Sequence, residues 1–396
     1  MRETAFIILT IGNNSTNNMK QIILLAALAM ATMASCSSNS SSKPTADPTP
    51  AESLLVRMDT LRKHGYMYGH QDDPFYGITW EWEHGDRSDT KELVGDYPAV
   101  MGFELGGIEM EDKANLDSVP FDWMREEIIK HHQRGGIVTI SWHPRNPLNG
   151  KTAWIGEDTI AYNKLVAEGV DPATLVNPKQ TVHEMLEGGS IHDKALTWIG
   201  HVSDFIGSLK TPEGEVVPVI FRPWHENTGN WFWWGETNCS AEDYKTLWNM
   251  TQDYMNEQLP GQLVWSYSPS PRSMEHFLER WPGDDRVQLL GVDAYQWGTE
   301  EEFKAGLQFG LQFMNEYVKE HPMLIAVTEC GRVNSDIPDW WTRVFDPIAR
   351  QYPICYCLPW RNAAKEHFGA SKDASTAEDF KLFYAQPHTL FLNDIK

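Results

Sequence analysis

Eight short runs of apolar, largely β-branched or aromatic residues recur along the chain, at 66–70, 99–103, 137–142, 217–222, 263–267, 289–293, 324–328 and 354–358. Between them lie segments of helical period at 121–134, 192–209, 241–259, 301–320 and 340–352, several opened by the Asp, Ser or Thr that caps a helix. Only a weak helix fits the interval between the first two runs. Strands that alternate with helices form a parallel sheet, because each return to the same end of the sheet needs a crossover, and eight such units close into a ring. The fold class is therefore α/β, a single (β/α)8 TIM barrel over residues 52–396. An open doubly wound sheet would show a glycine-rich phosphate turn after its first strand, and Gly69-His70-Gln71-Asp72-Asp73 is not one. Residues 143–216 are too many for one helix and begin rich in Asn, Pro and Gly, so an extended loop insertion after the third strand is expected to wall a cleft.

The beginning of the chain has a different character. Lys20 precedes an apolar run at 22–30 that is too short to span a bilayer, and Met33-Ala34-Ser35-Cys36 resembles a lipoprotein cleavage box. Residues 1–36 are read as a signal peptide, with 1–18 an over-extended start and Cys36 the lipidated first residue of the mature protein. Residues 37–51 are Ser- and Pro-rich, a disordered tether, and the folded unit starts near Glu52. The expected location is an exported protein held to the outer membrane by its lipid. The periplasmic side is favoured over the cell surface, because Ser37-Ser38-Asn39-Ser40 lacks an acidic export cluster.

Charge narrows the partners. Lys and Arg number 33 against 55 Asp and Glu, a formal net charge of −22, which disfavours nucleic acid and anionic lipid headgroups. With 17 Trp, 13 Tyr and 16 Phe, an acidic chain favours a neutral ligand with flat apolar faces, such as a sugar. Cys239, Cys330, Cys355 and Cys357 read as buried small residues. No CxxC pair and no HExxH occurs, so neither a metal nor another cofactor has a motif behind it. His131-His132 reads as a solvated patch at a helix C-terminus.

Active sites of closed α/β barrels lie at the C-terminal strand ends. Glu104 follows the second run, His143 the third, His225 and Glu226 the fourth, Tyr295 and Trp297 the sixth, Glu329 the seventh, and Trp360 and Arg361 the eighth. Any one of these has a structural explanation. Together they make a polar, aromatic-lined rim that stability alone does not require. Two carboxylates at facing strand ends suffice to cleave a glycosidic bond, one protonated to assist the departing oxygen and one ionised to attack or to activate water. A separation of about 5–5.5 Å gives retention and about 6.5–9.5 Å gives inversion. Glu226 and Glu329 are the expected pair, since both stand where the backbone is rigid and water is scarce.

Phe221-Arg222-Pro223-Trp224-His225-Glu226-Asn227, followed by Trp231-Phe232-Trp233-Trp234-Gly235, resembles the acid/base motif of glycoside hydrolase family 26, the bacterial β-mannanase family. Thr328-Glu329-Cys330-Gly331 resembles its nucleophile motif, and the likeness spans about residues 52–390. The resemblance implies retaining double displacement on β-1,4-mannosidic linkages of mannan, galactomannan or glucomannan, with Glu226 as acid/base and Glu329 as nucleophile. It further implies that Tyr295 hydrogen-bonds the nucleophile and that His225 orients carboxylate and sugar. His143, Trp231, Trp360 and Arg361 would line adjoining subsites, and Glu104 would hold a sugar hydroxyl or a neighbouring subsite residue. Successive side chains diverge, so of the run at 231–234 Trp231 is expected to touch sugar while others pack beneath. With no carbohydrate-binding module in view, the domain is expected to act alone, as a monomer. Alternatives are the same mechanism on β-1,3/1,4-glucan or β-xylan, and a non-catalytic glycan-binding lipoprotein. A metal-dependent barrel hydrolase would carry an H-x-H pair where this chain has His70-Gln71-Asp72.

Overall fold

The computed structural model describes residues 47–82 and 87–396. The expected signal peptide, Cys36 and residues 37–46 of the expected tether lie outside the described residues. Each of the eight apolar runs forms a parallel strand: β1 Tyr66–Gln71, β2 Val100–Glu104, β3 Ile137–Ser141, β4 Val219–Arg222, β5 Leu263–Tyr267, β6 Leu289–Gln296, β7 Leu324–Arg332 and β8 Tyr356–Pro359. Neighbours in sequence are neighbours in the sheet, and β1 pairs with both β2 and β8, which closes the barrel. The runs are apolar on both faces because neither face meets water. One face packs a core of Met67, Val100, Ile137, Ile220, Val264, Leu289, Ala326 and Leu358. The other packs Tyr68, Phe103, Ile140, Phe221 and Val327 in the larger cluster with residues of the surrounding helices.

Four of the helical segments form as the periodicity predicts: Phe121–Gln133, His192–Gly207, Ala241–Gln258 and Glu300–Tyr317. The fifth begins as a π-helical turn, Trp340–Phe345, and only then becomes the short α-helix Asp346–Ala349. Pro347 lacks the amide an α-helical ladder needs, and the Asp379 carboxylate takes the amides of Trp341 and Thr342 at 2.9 and 3.1 Å. At the start of the described chain, helix Pro50–Leu61 begins before the expected boundary at 51/52. Thr49 and Glu52 form a reciprocal capping box and Pro50 takes the first helical position, so this end is well specified. Leu54 and Met58 of this helix join the same core as Met67 and Val264.

A ninth strand, β9 Thr389–Leu390, escapes the sequence pattern because two residues show no period. It pairs in parallel with Tyr66 and Met67 of β1, leaving Gly69–Gln71 of that strand to β2. His131 departs from expectation: its ring is fully buried, 3.3 Å from the Ala99 carbonyl oxygen, and burial pushes its pKa down to about 4. Only His132 is a surface residue, paired with Glu215. Cys239, Cys330, Cys355 and Cys357 are buried free thiols. Among the described residues no helix is long and apolar enough to cross a membrane.

Beyond β3 the insertion holds helices Gly156–Ala167 and Thr181–Met185, and its first part brings Trp154 to the rim of the cleft. Strands β6 and β7 run past their expected ends. A register shift between Val292 and Asp293 sets Asp293 opposite Glu329 on β7, a bulge of the kind that re-aims side chains beside active sites.

Candidate active site

Glu226 is presented by a strained turn. Trp224 and Glu226 both adopt left-handed backbone conformations, φ 52° and 53°, which non-glycine residues seldom take unless their surroundings enforce it. Here the surroundings do. The Trp224 carbonyl accepts from the Tyr244 hydroxyl at 2.9 Å, the His225 carbonyl from Trp234 Nε1 at 2.8 Å, and the Glu226 amide donates to the Ser268 carbonyl at 2.7 Å. Trp224, Trp233 and Trp234 are fully buried and pack edge to face beneath the turn, while Trp231 and Phe232 line the cleft. The run thus divides into two rings that face the cleft and two that pack beneath.

Glu329 faces Glu226 from β7. Tyr295 Oη donates to its Oε2 at 2.7 Å, and Arg222 Nη2 donates to its Oε1. Arg222 also reaches both oxygens of Asp293 at 3.2 Å, and Thr328 Oγ1 donates to Asp293 at 2.6 Å. Carboxylate oxygens of Glu226, Asp293 and Glu329 all lie within 4.8 Å of one another. So close an approach of single oxygens accords with the short carboxyl separation, about 5–5.5 Å, at which one carboxylate acts as a direct nucleophile.

Electrostatics divides the roles. Burial, with the negative charges of Asp293 and Glu329, drives the Glu226 carboxyl well above its ordinary pKa, so it holds its proton. Trp231 Nε1 donates to Glu226 Oε2 at 2.5 Å and works the other way, favouring the ionised form. Burial raises Asp293 to about 7 against the opposing pull of Arg222. The carboxylates Asp293 and Glu329 outweigh the effect of burial on Arg222 and hold it protonated. Three clustered carboxylates also match the donor set of a cation, but Arg222 already places its positive charge on two of them.

The histidines form a chain that runs from the cleft wall at His143 inward to His225. Glu104 accepts four hydrogen bonds, from the amides of Gly106 and His143 at 2.7 Å each, from Ser141 Oγ at 2.6 Å and from His143 Nδ1 at 2.7 Å. A carboxylate with four donors is ionised, so His143 Nδ1 carries a hydrogen. His143 Nε2 in turn lies 2.9 Å from His225 Nε2, which is 3.9 Å from Glu329 Oε1. Burial pulls both imidazoles down, yet Glu104 outweighs it at His143, which ends raised, while the positive charges of His143 and Arg222 add to it at His225, which ends well lowered.

The cleft has a volume of about 530 Å³. Of the residues expected there, Glu226, Glu329, His143, Trp231, Tyr295, Trp360 and Arg361 line it. Glu104 and His225 do not. Both are buried behind the wall: of the two roles expected of Glu104, a hold on a sugar hydroxyl or on a neighbouring subsite residue, the geometry has the second, through His143, and His225 acts beneath the surface. Asp293, Asp117, Trp154 and Phe368 line the cleft without having been expected as site residues, and Arg222 stands beneath. Asp117 pairs with Arg361 at 3.1 Å. Burial raises its pKa against the pull of that arginine.

Comparison with known proteins agrees with this geometry. The profile of glycosyl hydrolase family 26 matches residues 43–390. A solved structure, a GH26 beta-mannanase from Bacteroides ovatus, is 40% identical, superposes with a TM-score of 0.79, and covers 87% of this chain and 95% of its own. A mannan endo-1,4-beta-mannosidase of Bifidobacterium adolescentis is 26% identical over 87% of this chain, which spans 35% of that relative's length. One from Bacillus subtilis is 25% identical, with 71% of each covered. With a barrel of the expected topology, two facing glutamates at the spacing of a nucleophile and its acid, and a family match over nearly all described residues, this chain belongs to glycosyl hydrolase family 26.

Proposed function

We propose that the protein is a retaining mannan endo-1,4-β-mannosidase acting on linear and substituted β-mannans. The observation that carries the reading is the approach of Glu226 and Glu329 within 4.8 Å, one held protonated and the other held by Arg222 and Tyr295. In the first step a Glu329 carboxylate oxygen attacks the anomeric carbon, the bond from that carbon to the glycosidic oxygen breaks, and the departing oxygen takes the Glu226 proton. A glycosyl ester on Glu329 results. In the second step Glu226, now ionised, takes a proton from water as the water oxygen bonds to the anomeric carbon and the ester bond breaks. Two displacements restore the original configuration.

The names carried by the relatives support mannan as the main chain, and the cleft's Trp154, Trp231, Trp297 and Trp360 supply faces for pyranose rings. The enzyme acts as a monomer that needs no cofactor, exported and tethered through Cys36 to the outer membrane on its periplasmic side. Reducing-end release from linear mannan, lichenan and xylan tests the substrate. Mannan should be preferred, and activity confined to lichenan or xylan would overturn that choice. Glu226→Ala and Glu329→Ala should each abolish hydrolysis with the fold intact; near-normal rates in both would refute the catalytic assignment.

A further inference from the structure

Helix Glu300–Tyr317 follows β6 and packs against it. Gly306 lies in its interior, where glycine is among the poorest helix formers. Close packing does not account for it, because a Cβ built there would meet no atom of the described residues within 4 Å. Gly310, one turn on, is different: a Cβ there would lie 3.2 Å from the Val292 side chain and 3.5 Å from Pro271. The space over Gly306 belongs to a second cavity of about 310 Å³, lined also by Gln296, Glu302 and Phe303. Pro271 and Tyr295 line both this cavity and the catalytic cleft. Since the Tyr295 hydroxyl holds the nucleophile, the second cavity adjoins the place where the main chain is cut.

Its walls suit one sugar. Phe303 lends apolar surface, and two polar groups face hydroxyls: the Gln296 amide, whose Oε1 also accepts from Trp340 Nε1 at 2.7 Å, and the Glu302 carboxylate, whose Oε2 also accepts from the Thr299 amide at 3.1 Å in the helix's capping box. The volume lies at the lower end of small-ligand sites, ~300–1,000 Å³, room for one pyranose ring and not for a run of them. We propose that this cavity is an accessory subsite for a single-sugar branch, such as a galactosyl substituent on the mannan main chain bound in the cleft. The assignment rests on the mannanase reading above and deepens it.

Gly306 permits a clean test, because a Cβ there enters the cavity without meeting an atom of the described residues, and replacement by a better helix former should not lower thermal stability. Wild type, Gly306→Ala and Gly306→Leu are compared by kcat/KM on linear β-1,4-mannan and on galactomannan. Leucine should cut the galactomannan value by about tenfold or more, alanine by less, with linear mannan within about twofold for both. Equal responses on the two polymers, whether no loss or a shared loss, would overturn the branch subsite while leaving the mannanase reading intact. A wild type inactive on linear mannan would remove that reading, and the branch subsite with it.

Discussion

His143 Nε2 and His225 Nε2 face each other at 2.9 Å, and one N–H must lie between them. Glu104 decides on which side. By fixing a hydrogen on His143 Nδ1 and stabilising positive charge on that ring, it lets His143 donate and His225 accept. A buried carboxylate on β2 thereby orients a ring on β4 that stands 3.9 Å from the nucleophile on β7.

Glu104→Gln should lower kcat/KM by about ten- to a hundredfold, the worth of a charge-assisted hydrogen bond at ~1.5–3 kcal/mol. It should also lower the pKa of His143, which proton NMR of the imidazole resonances can follow. An unchanged His143 titration in the variant would contradict the chain of bonds drawn here.

Glu226→Gln should cost about 10²–10⁴-fold in kcat as the acid is lost. Its stability should move the other way. The folded-state pKa of Glu226 is raised, so the stability linked to its proton is complete below the unfolded value of about 4.3 and is lost as pH climbs through the folded value. The glutamine variant should melt above wild type at pH 8, by roughly 2 °C or more. The gap should close towards pH 4, and scanning calorimetry at the two pH values checks both arms.

Trp231→Phe removes the indole N–H that favours ionised Glu226. The alkaline limb of the kcat profile, which reports deprotonation of the acid, should move to higher pH. A limb moving to lower pH would mean that the indole acts on Glu226 in some other way.

Exhaustive chelation should leave mannan hydrolysis unaltered, because the Arg222 guanidinium supplies the positive charge that Asp293 and Glu329 need. Loss of activity restored by one particular metal would place a cation among the three carboxylates instead.

Cys36→Ser should move the protein from the membrane fraction to the soluble fraction, read by fractionation and immunoblotting. Retention in membranes would rule out the lipid tether.

Much of this site was legible from sequence because catalytic groups of a barrel cluster at strand ends, and strand ends can be counted. Glu226, Glu329, Tyr295 and Trp231 follow from that rule and from local motifs. Glu104 satisfied the same rule yet serves at one remove, since sequence position does not reveal that four donors already surround its carboxylate. Asp293 read as the last residue of an apolar run. Only the register shift after Val292, a property of the pairing between β6 and β7, turns it towards Glu329. Asp117 and Trp154 sit in irregular loops, where no period fixes direction. His131 was misjudged because adjacency to His132 suggested a shared environment, whereas consecutive positions on a helix point in different directions.

The pairing of β9 with the first strand has a bearing on how the molecule comes to be folded. Thr389 and Leu390 pair with Tyr66 and Met67, so that seam joins segments separated in sequence by all the other strands of the barrel. Contacts this distant in sequence slow the search for the native topology. An emerging chain therefore keeps the margin of its first strand at Tyr66 and Met67 unsatisfied until β9 has been made, so the barrel's opening strand is among the last to be completed.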